Sequence, residues 1–262
     1  MVLRGVILAG GTGSRLLPLT KATNKHLLPV YNKPMIYYPI EMLKSAGVKD
    51  ILIITGTYHA GDIFSHLGSG KDFGVRFTYR VQDEAGGIPS AIALAEDFVG
   101  EDKFISINGD NIVFESLKGF AEEFEKNKEE MQILLYKGTR EEAQKSGVAV
   151  CKGNKVTEVV EKPKDPPSNN IIIGVYFLSP RCFEIIRKLK PSARGETEVT
   201  EIQREYMKKD SLRAEFLKGK WLDAGDFEDL LHANLETKKL AEGKFSKGFL
   251  PKQKKLVDNG KQ

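Results

Sequence analysis

Short runs rich in Val and Ile alternate with stretches of helical periodicity through the first half of this chain, and that rhythm restricts the fold more than any other feature. The runs at residues 2–8, 51–55, 75–81 and 104–107 have the length and β-branched content of buried strands. Between them, residues 35–46, 60–67 and 88–98 carry apolar side chains at helical spacing. The alternation predicts βαβ units, hence a Rossmann-like three-layer α/β/α fold with a mostly parallel central sheet.

After a strand at 131–136 the rhythm changes. Residues 147–151 and 156–160 flank the turn residues Lys152, Gly153 and Asn154, which predicts a hairpin. Residues 162–170 hold three prolines and two asparagines and read as a loop before a strand at 171–178. Helices are expected at 183–189, 199–208 and 227–240. No repeat or linker interrupts the chain, so residues 1–240 are expected to form one domain. Its second part, from about residue 131, is a small β lobe folded onto the first, and residues 241–262 form a Lys-rich tail.

Composition narrows the function classes. With 40% hydrophobic and 29% charged residues the chain can bury a core. The formal charge of +4 is mild and both signs mix along the expected helices, so nucleic acid is not indicated as a partner. No stretch is apolar for long enough to span a membrane, and the N-terminus lacks a secretory signal pattern. Cys151 and Cys182 have no metal-binding spacing, which suits a reducing compartment, and a cytoplasmic location is expected.

The first strand runs into Ala9-Gly10-Gly11-Thr12-Gly13-Ser14-Arg15. In an open α/β sheet, ligands sit at the carboxyl ends of strands. Glycines let backbone amides approach anionic oxygens, and Arg15 adds a forked donor for phosphate. The dinucleotide fingerprint fails, because Leu16 stands where its third glycine belongs and the second strand ends in Ile54-Thr55-Gly56 without an acid. The P-loop also fails, since Gly13-Ser14-Arg15 supplies no Gly-Lys followed by Ser or Thr. The chain continues through Arg15-Leu16-Leu17-Pro18-Leu19-Thr20, Asn24-Lys25-His26-Leu27-Leu28-Pro29-Val30 and Lys33-Pro34-Met35, whose prolines hold turned backbone that returns Arg15 and Lys25 toward the glycines.

Two carboxylates stand out further along, in Asn108-Gly109-Asp110-Asn111 and Trp221-Leu222-Asp223-Ala224-Gly225. Either aspartate by itself reads as a turn former or a helix cap. As a pair completed by phosphate and water oxygens, they are ligands of the kind Mg²⁺ prefers.

From Gly10 to Met35 the sequence closely resembles the sugar nucleotidylyltransferases, and within them the glucose-1-phosphate thymidylyltransferase branch. The resemblance extends over residues 2–235. It implies a nucleotidyltransferase fold with a nucleotide-binding part at about 1–130 and a sugar-phosphate-binding part at about 131–240. Transfer of a thymidylyl group from dTTP to glucose 1-phosphate is then expected, giving dTDP-glucose and pyrophosphate as the first step of dTDP-rhamnose and deoxysugar biosynthesis. The nucleotide is expected on Gly10, Gly11, Thr12, Gly13, Arg15, Gln82, Gly87 and Asp110. Arg15, Lys25 and Asp110 are the expected catalytic residues, and Asp110 and Asp223 are expected to share one Mg²⁺. Asn111, Gly147, Glu161, Lys162, Gly174 and Arg194 are expected around the sugar phosphate.

The resemblance also implies a homo-oligomer, commonly a tetramer, although the C-terminal extension that many members carry is missing here. The sequence departs from the family pattern at Pro89 and Ser90, at Asn108 before Gly-Asp-Asn, and at Ile173 before Gly174. These positions border the expected base and sugar sites. UTP or CTP, or another sugar 1-phosphate, are the alternatives within the same reaction. A non-catalytic nucleotide-sugar sensor is the alternative outside it, and the presence of Arg15, Lys25, Asp110 and Asp223 argues against a sensor.

Overall fold

The computed structural model describes residues 3–84, 86–192 and 195–244. Strand β1 (Arg4–Ala9) leads through the short strands β2 (Pro29–Val30) and β3 (Lys33–Pro34) to helix α1 (Tyr37–Ser45). Then come β4 (Asp50–Gly56), α2 (Ala60–Leu67), β5 (Arg76–Gln82), α3 (Ile88–Ala93), α4 (Glu96–Val99), β6 (Phe104–Asn108) and β7 (Asn111–Val113). The second half adds α5 (Lys118–Lys126), β8 (Met131–Lys137), α6 (Arg140–Lys145), β9 (Gly147–Lys152), β10 (Lys155–Glu161) and β11 (Asn170–Leu178). It ends with α7 (Arg181–Ile186), α8 (Val199–Lys208), β12 (Leu212–Phe216), β13 (Trp221–Asp223) and α9 (Phe227–Lys239).

Nine strands form one sheet in the order β5-β4-β1-β6-β11-β8-β12-β10-β9. The strands β5, β4, β1 and β6 are mutually parallel, and β8 is parallel to β12. Only β11 and β10 run against the others, but each is paired on both sides, so the sheet is parallel over β5, β4, β1 and β6, as the alternation of elements predicts, and mixed beyond β6.

The strands are apolar on both faces because both faces are covered. Val6 and Leu8 point into a core with Ile92 of α3, Phe183 of α7 and Tyr206 of α8, while Ile7 and Ala9 point into another with Ile40 of α1, Ile63 of α2 and Phe124 of α5. Three layers result. Period-two alternation along β1 thus feeds two cores at once.

The expected helix at 88–98 is broken. Its carbonyl ladder is interrupted at Leu94, whose oxygen accepts from Arg80 Nη1 at 2.8 Å, and the chain resumes as α4. The hairpin β9–β10 closes on Gly153 and Asn154, with Lys152 paired to Lys155 rather than placed in the turn. Helices α5 and α6 and the β2–β3 ribbon were not anticipated in the sequence, nor were β12, which fills the sheet between β8 and β10, and the antiparallel ribbon of β7 with β13.

Candidate active site

The loop after β1 is built on Gly13, whose φ of +66° is a left-handed conformation that suits glycine. A Cβ there would lie 2.7 Å from Thr20 Cγ2 and 3.2 Å from Lys25 Cβ. Thr20 Oγ1 donates to the Gly13 carbonyl at 2.9 Å. Gly13 is therefore a seat for Thr20 and Lys25, and it lines neither cavity of the site. Asn24 caps the next turn by accepting the His26 amide at 2.9 Å, which fixes Lys25 just beyond the cap.

Lys25 is buried, and its Nζ donates to Asp110 Oδ2 at 2.5 Å. Asp110 follows β6, whose end passes beside β1 in register Leu8↔Asn108. Burial disfavours an ionised Asp110, but the Lys25 ammonium outweighs it and holds the carboxyl well below the usual range. Beneath the pair lies His26, against which a Cβ on Gly109 would come within 2.5 Å. Burial, and then the charge on Lys25, lower its imidazole to about 3. His26 is neutral near pH 7 and serves as packing.

The β7–β13 ribbon brings in the second aspartate. Asp223 pairs with Asn111 in register, and the Ala224 amide donates to the Asp110 carbonyl at 3.2 Å. Burial, and then the charge on Asp110, push the Asp223 carboxyl up to about 7. Its Oδ1 is buried and has no hydrogen-bond partner among the described residues. An orphaned carboxylate oxygen beside a second carboxylate is a group that awaits a cation. Among the described residues no three His, Cys, Asp or Glu side chains gather for a metal. The two carboxylates with the orphaned Asp223 oxygen fit Mg²⁺, which needs few protein carboxylates when phosphate and water oxygens complete its shell.

Cavities open on both sides of this centre. One, of about 370 Å³, is lined by Gly10, Gly11, Thr12, Lys25 and Gln82, with Thr57, Tyr58 and His59 at the end of β4. The other, of about 300 Å³, is lined by Asp110, Asn111, Gly147, Glu161, Lys162, Gly174 and Asp223. Gly87 and Arg15 line this second cavity, although both were expected with the nucleotide. Arg15 lies against Gly225, where a Cβ would be 3.0 Å from its guanidinium and 3.4 Å from Asp223 Oδ1. Arg194 lies outside the described residues.

In the second cavity, Gly147 leaves open the point where Thr200, Glu161 and Ile172 converge, all within 3.7 Å of where a Cβ would sit. Lys162 has a φ of +43°, a costly conformation for a lysine, and its amide donates to the Ser146 carbonyl at 3.1 Å. Asn111 has structural duties: its Oδ1 accepts from the Gly174 amide and from Trp221 Nε1, each at 2.8 Å, and its Nδ2 donates to Asp110 at 3.1 Å. It ties β11, β13 and Asp110 together. Lys145, Thr200, Gln203 and Trp221 line this cavity without having been singled out in the sequence. For Thr200 and Gln203 the signal was three-residue spacing on one helix face, indistinguishable in sequence from core packing.

Residues 4–239 match the Nucleotidyl transferase family. The low-salt glycan biosynthesis nucleotidyltransferase Agl11 of Haloferax volcanii is 41% identical, with 91% of this chain and 68% of that protein aligned. Glucose-1-phosphate thymidylyltransferase of Neisseria meningitidis is 38% identical over 88% of this chain and 81% of its own length. Among solved structures, a provisionally assigned glucose-1-phosphate thymidylyltransferase from Bacillus anthracis, crystallised with sucrose, superposes with a TM-score of 0.86 at 48% identity, covering 90% of this chain and 96% of that one. UDP-glucose pyrophosphorylase bound to UDP-glucose superposes with a TM-score of 0.82 at 28% identity, covering 92% of this chain and all of that one. The chain belongs to the nucleotidyl transferase family, with glucose-1-phosphate thymidylyltransferases among its relatives.

Proposed function

We propose that this nucleotidyltransferase moves a thymidylyl group from dTTP to glucose 1-phosphate, releasing pyrophosphate. The observation that carries the reading is the central pair: Lys25 and Asp110 in contact, with the orphaned Asp223 oxygen beside them, between a glycine-loop cavity and a polar cavity.

The nucleotide lies in the first cavity, with its phosphates against the amides of Gly11 and Thr12 and its base against Gly10 and Gln82. The sugar phosphate lies in the second, its hydroxyls toward Glu161 and the Gly147 backbone and its phosphate toward Lys162. A phosphate oxygen of the sugar attacks the α-phosphorus, forming a new P–O bond as the bond to the β-phosphate oxygen breaks. The attacking group is already an anion, so no side chain needs to remove a proton. Lys25 balances the charge that builds on the transferring phosphate, Arg15 faces the same centre from the second cavity, and the two cavities hold the reactants in line. Mg²⁺ held by Asp110 and Asp223 supplies Lewis-acid neutralisation when bound.

UTP is the second reading for the nucleotide, favoured by the likeness to UDP-glucose pyrophosphorylase in its UDP-glucose complex. A crossed screen of dTTP, UTP, CTP, ATP and GTP against several sugar 1-phosphates, monitored by pyrophosphate release with Mg²⁺ present, tests the proposal. The highest kcat/KM is expected for dTTP with glucose 1-phosphate. Turnover with no pair would overturn the catalytic reading.

A further inference from the structure

Gln82, the last residue of β5, reaches the floor of the glycine-loop cavity, and an amide there offers either a donor or an acceptor according to how its terminal torsion is set. The structure sets it through Ser90, the third residue of α3. Ser90 Oγ lies 2.9 Å from the Gly87 carbonyl, which can only accept, so the single hydroxyl proton is committed there. The Gln82 atom at 2.9 Å from the same oxygen must then be a donor, its Nε2. That leaves Oε1 on the opposite side. It lies 2.6 Å from where a Cβ on Gly10 would stand, so it faces the cavity wall that only a glycine leaves open. No donor from the described residues meets it.

The frame behind Ser90 is rigid. A side chain on Gly86 would run into Ser90 Oγ at 2.7 Å, and one on Gly87 would meet the Thr197 carbonyl at 2.2 Å. Thr197 holds the Gly86 carbonyl twice, from its Oγ1 at 2.7 Å and its amide at 3.1 Å. The Gly87 carbonyl that takes the serine proton is thus a fixed point, and the Gln82 orientation is inherited from it.

We propose that Ser90 is a positioning residue that keeps Gln82 acceptor-inward, so that the base site selects the imide N3–H of thymine or uracil against cytosine. The proposal rests on reading Gln82 as the base contact. Thymine and uracil donate from N3, whereas cytosine presents a lone pair at N3 that would face the lone pairs of Oε1. To offer its exocyclic amine instead, cytosine would have to slide along the amide while its triphosphate stays in the glycine loop. Without Ser90 the amide can turn over and present Nε2–H to the cytosine N3.

The test compares matched nucleotides, dTTP with dCTP and UTP with CTP, in the wild type, Ser90→Ala and Ser90→Thr. Both kcat/KM with glucose 1-phosphate and direct calorimetric binding in Mg²⁺ are measured. The wild type is expected to favour the imide base of each pair. In Ser90→Ala that preference should shrink by roughly tenfold or more, the size of one misdirected hydrogen bond. The change should lie in nucleotide KM, with kcat for dTTP and the KM for glucose 1-phosphate within about twofold, and Ser90→Thr should restore it. N3-methyl-dTTP, which lacks the donor, should be refused by the wild type. An unchanged dTTP to dCTP ratio in Ser90→Ala, or a wild type that prefers cytosine, overturns the inference while leaving the transfer reaction intact. Binding that shows the predicted pattern without any turnover would uphold the inference and sink the proposed reaction instead. A wild type that neither binds nor turns over these nucleotides overturns both.

Discussion

The cavity at the glycine loop takes most of its wall from one continuous stretch, residues 10–25, closed by the ends of β4 and β5. The cavity beyond Asp110 gathers its wall from β6, β9, β10, β11, α8 and β13, elements spread over nearly half the chain. In the first, local backbone chemistry does the building: left-handed Gly13, the Asn24 cap and the close approach of Gly10 to Gln82. In the second, sheet topology does it, with Asn111 bonded to both Gly174 and Trp221 as the tie. A site of the first kind depends on a few neighbouring residues. A site of the second kind depends on the register of a whole sheet.

The Lys25–Asp110 contact joins the two, which makes it the place to break the comparison. Lys25→Ala or Asp110→Ala should lower kcat by about a hundredfold to a thousandfold, the loss typical of one preorganised charge-stabilising group. Rapid-quench single-turnover rates, taken below the melting temperature of each variant, measure it. A variant that kept kcat and raised only one KM would assign its residue to a single cavity and remove the joint.

Glu161→Gln sharpens the contrast from the sugar side. It should raise KM for the sugar 1-phosphate by about tenfold, the scale of one charge-assisted hydrogen bond, with nucleotide KM unchanged. Initial-rate kinetics with each substrate varied in turn decide this. A selective loss of nucleotide affinity would mean that the two cavities are not separate binding sites.

The smallest expected effect is on stability, and it concerns the glycine-loop side. His26 is held neutral, with its imidazole lowered to about 3, whereas in the unfolded chain it titrates near ~6.5. Between those values the unfolded chain binds more protons, so the contribution is complete above about pH 6.5 and declines as pH falls toward 3. Asp110, also lowered, pushes in the same direction but at more acidic pH. Between about pH 7.5 and 4.5 Asp223, raised to about 7, works the other way, because the folded chain holds its proton there, so the imidazole is read from the difference between a His26 variant and the wild type. His26→Asn, which keeps a donor toward Asn24, should show a shallower fall in Tm over that range than the wild type. Parallel slopes would mean that His26 does not couple to folding.

Much of the first cavity was legible in the sequence because its signals are short in range. Gly10, Gly11, Thr12 and Lys25 were found from a single loop, and the structure groups them. Gly13 belongs to that loop as support, a distinction that needs the packing of Thr20 and Lys25 to see. Arg15 and Gly87 stand on the wall of the other cavity, because the short turn at Ser14–Leu16 aims Arg15 at Gly225 and because Thr197 clamps the Gly86–Gly87 loop from behind. Ser90 was visible only as a departure from a family pattern. Its effect on Gln82 runs across eight residues of strand, loop and helix, a separation that no periodicity reveals.

The sequence by itself determined the alternation of strands and helices, the two-sided burial of the parallel strands, and the glycine loop with its lysine. These are properties of neighbouring residues, set by β-branched runs, helical spacing and positive-φ glycines. The resemblance paired Asp223 with Asp110, but what physically sets the two side by side is visible only in the tertiary structure. Nothing in Trp221-Leu222-Asp223 marks it as the partner of Asn111-Ile112-Val113, since pairing two three-residue strands so far apart requires the surrounding sheet to be in place first. The same holds for the orphaned Asp223 oxygen and the fixed Gln82 amide: one is defined by the groups that fail to reach it and the other by the Ser90 hydroxyl that does, and both are properties of the folded surroundings.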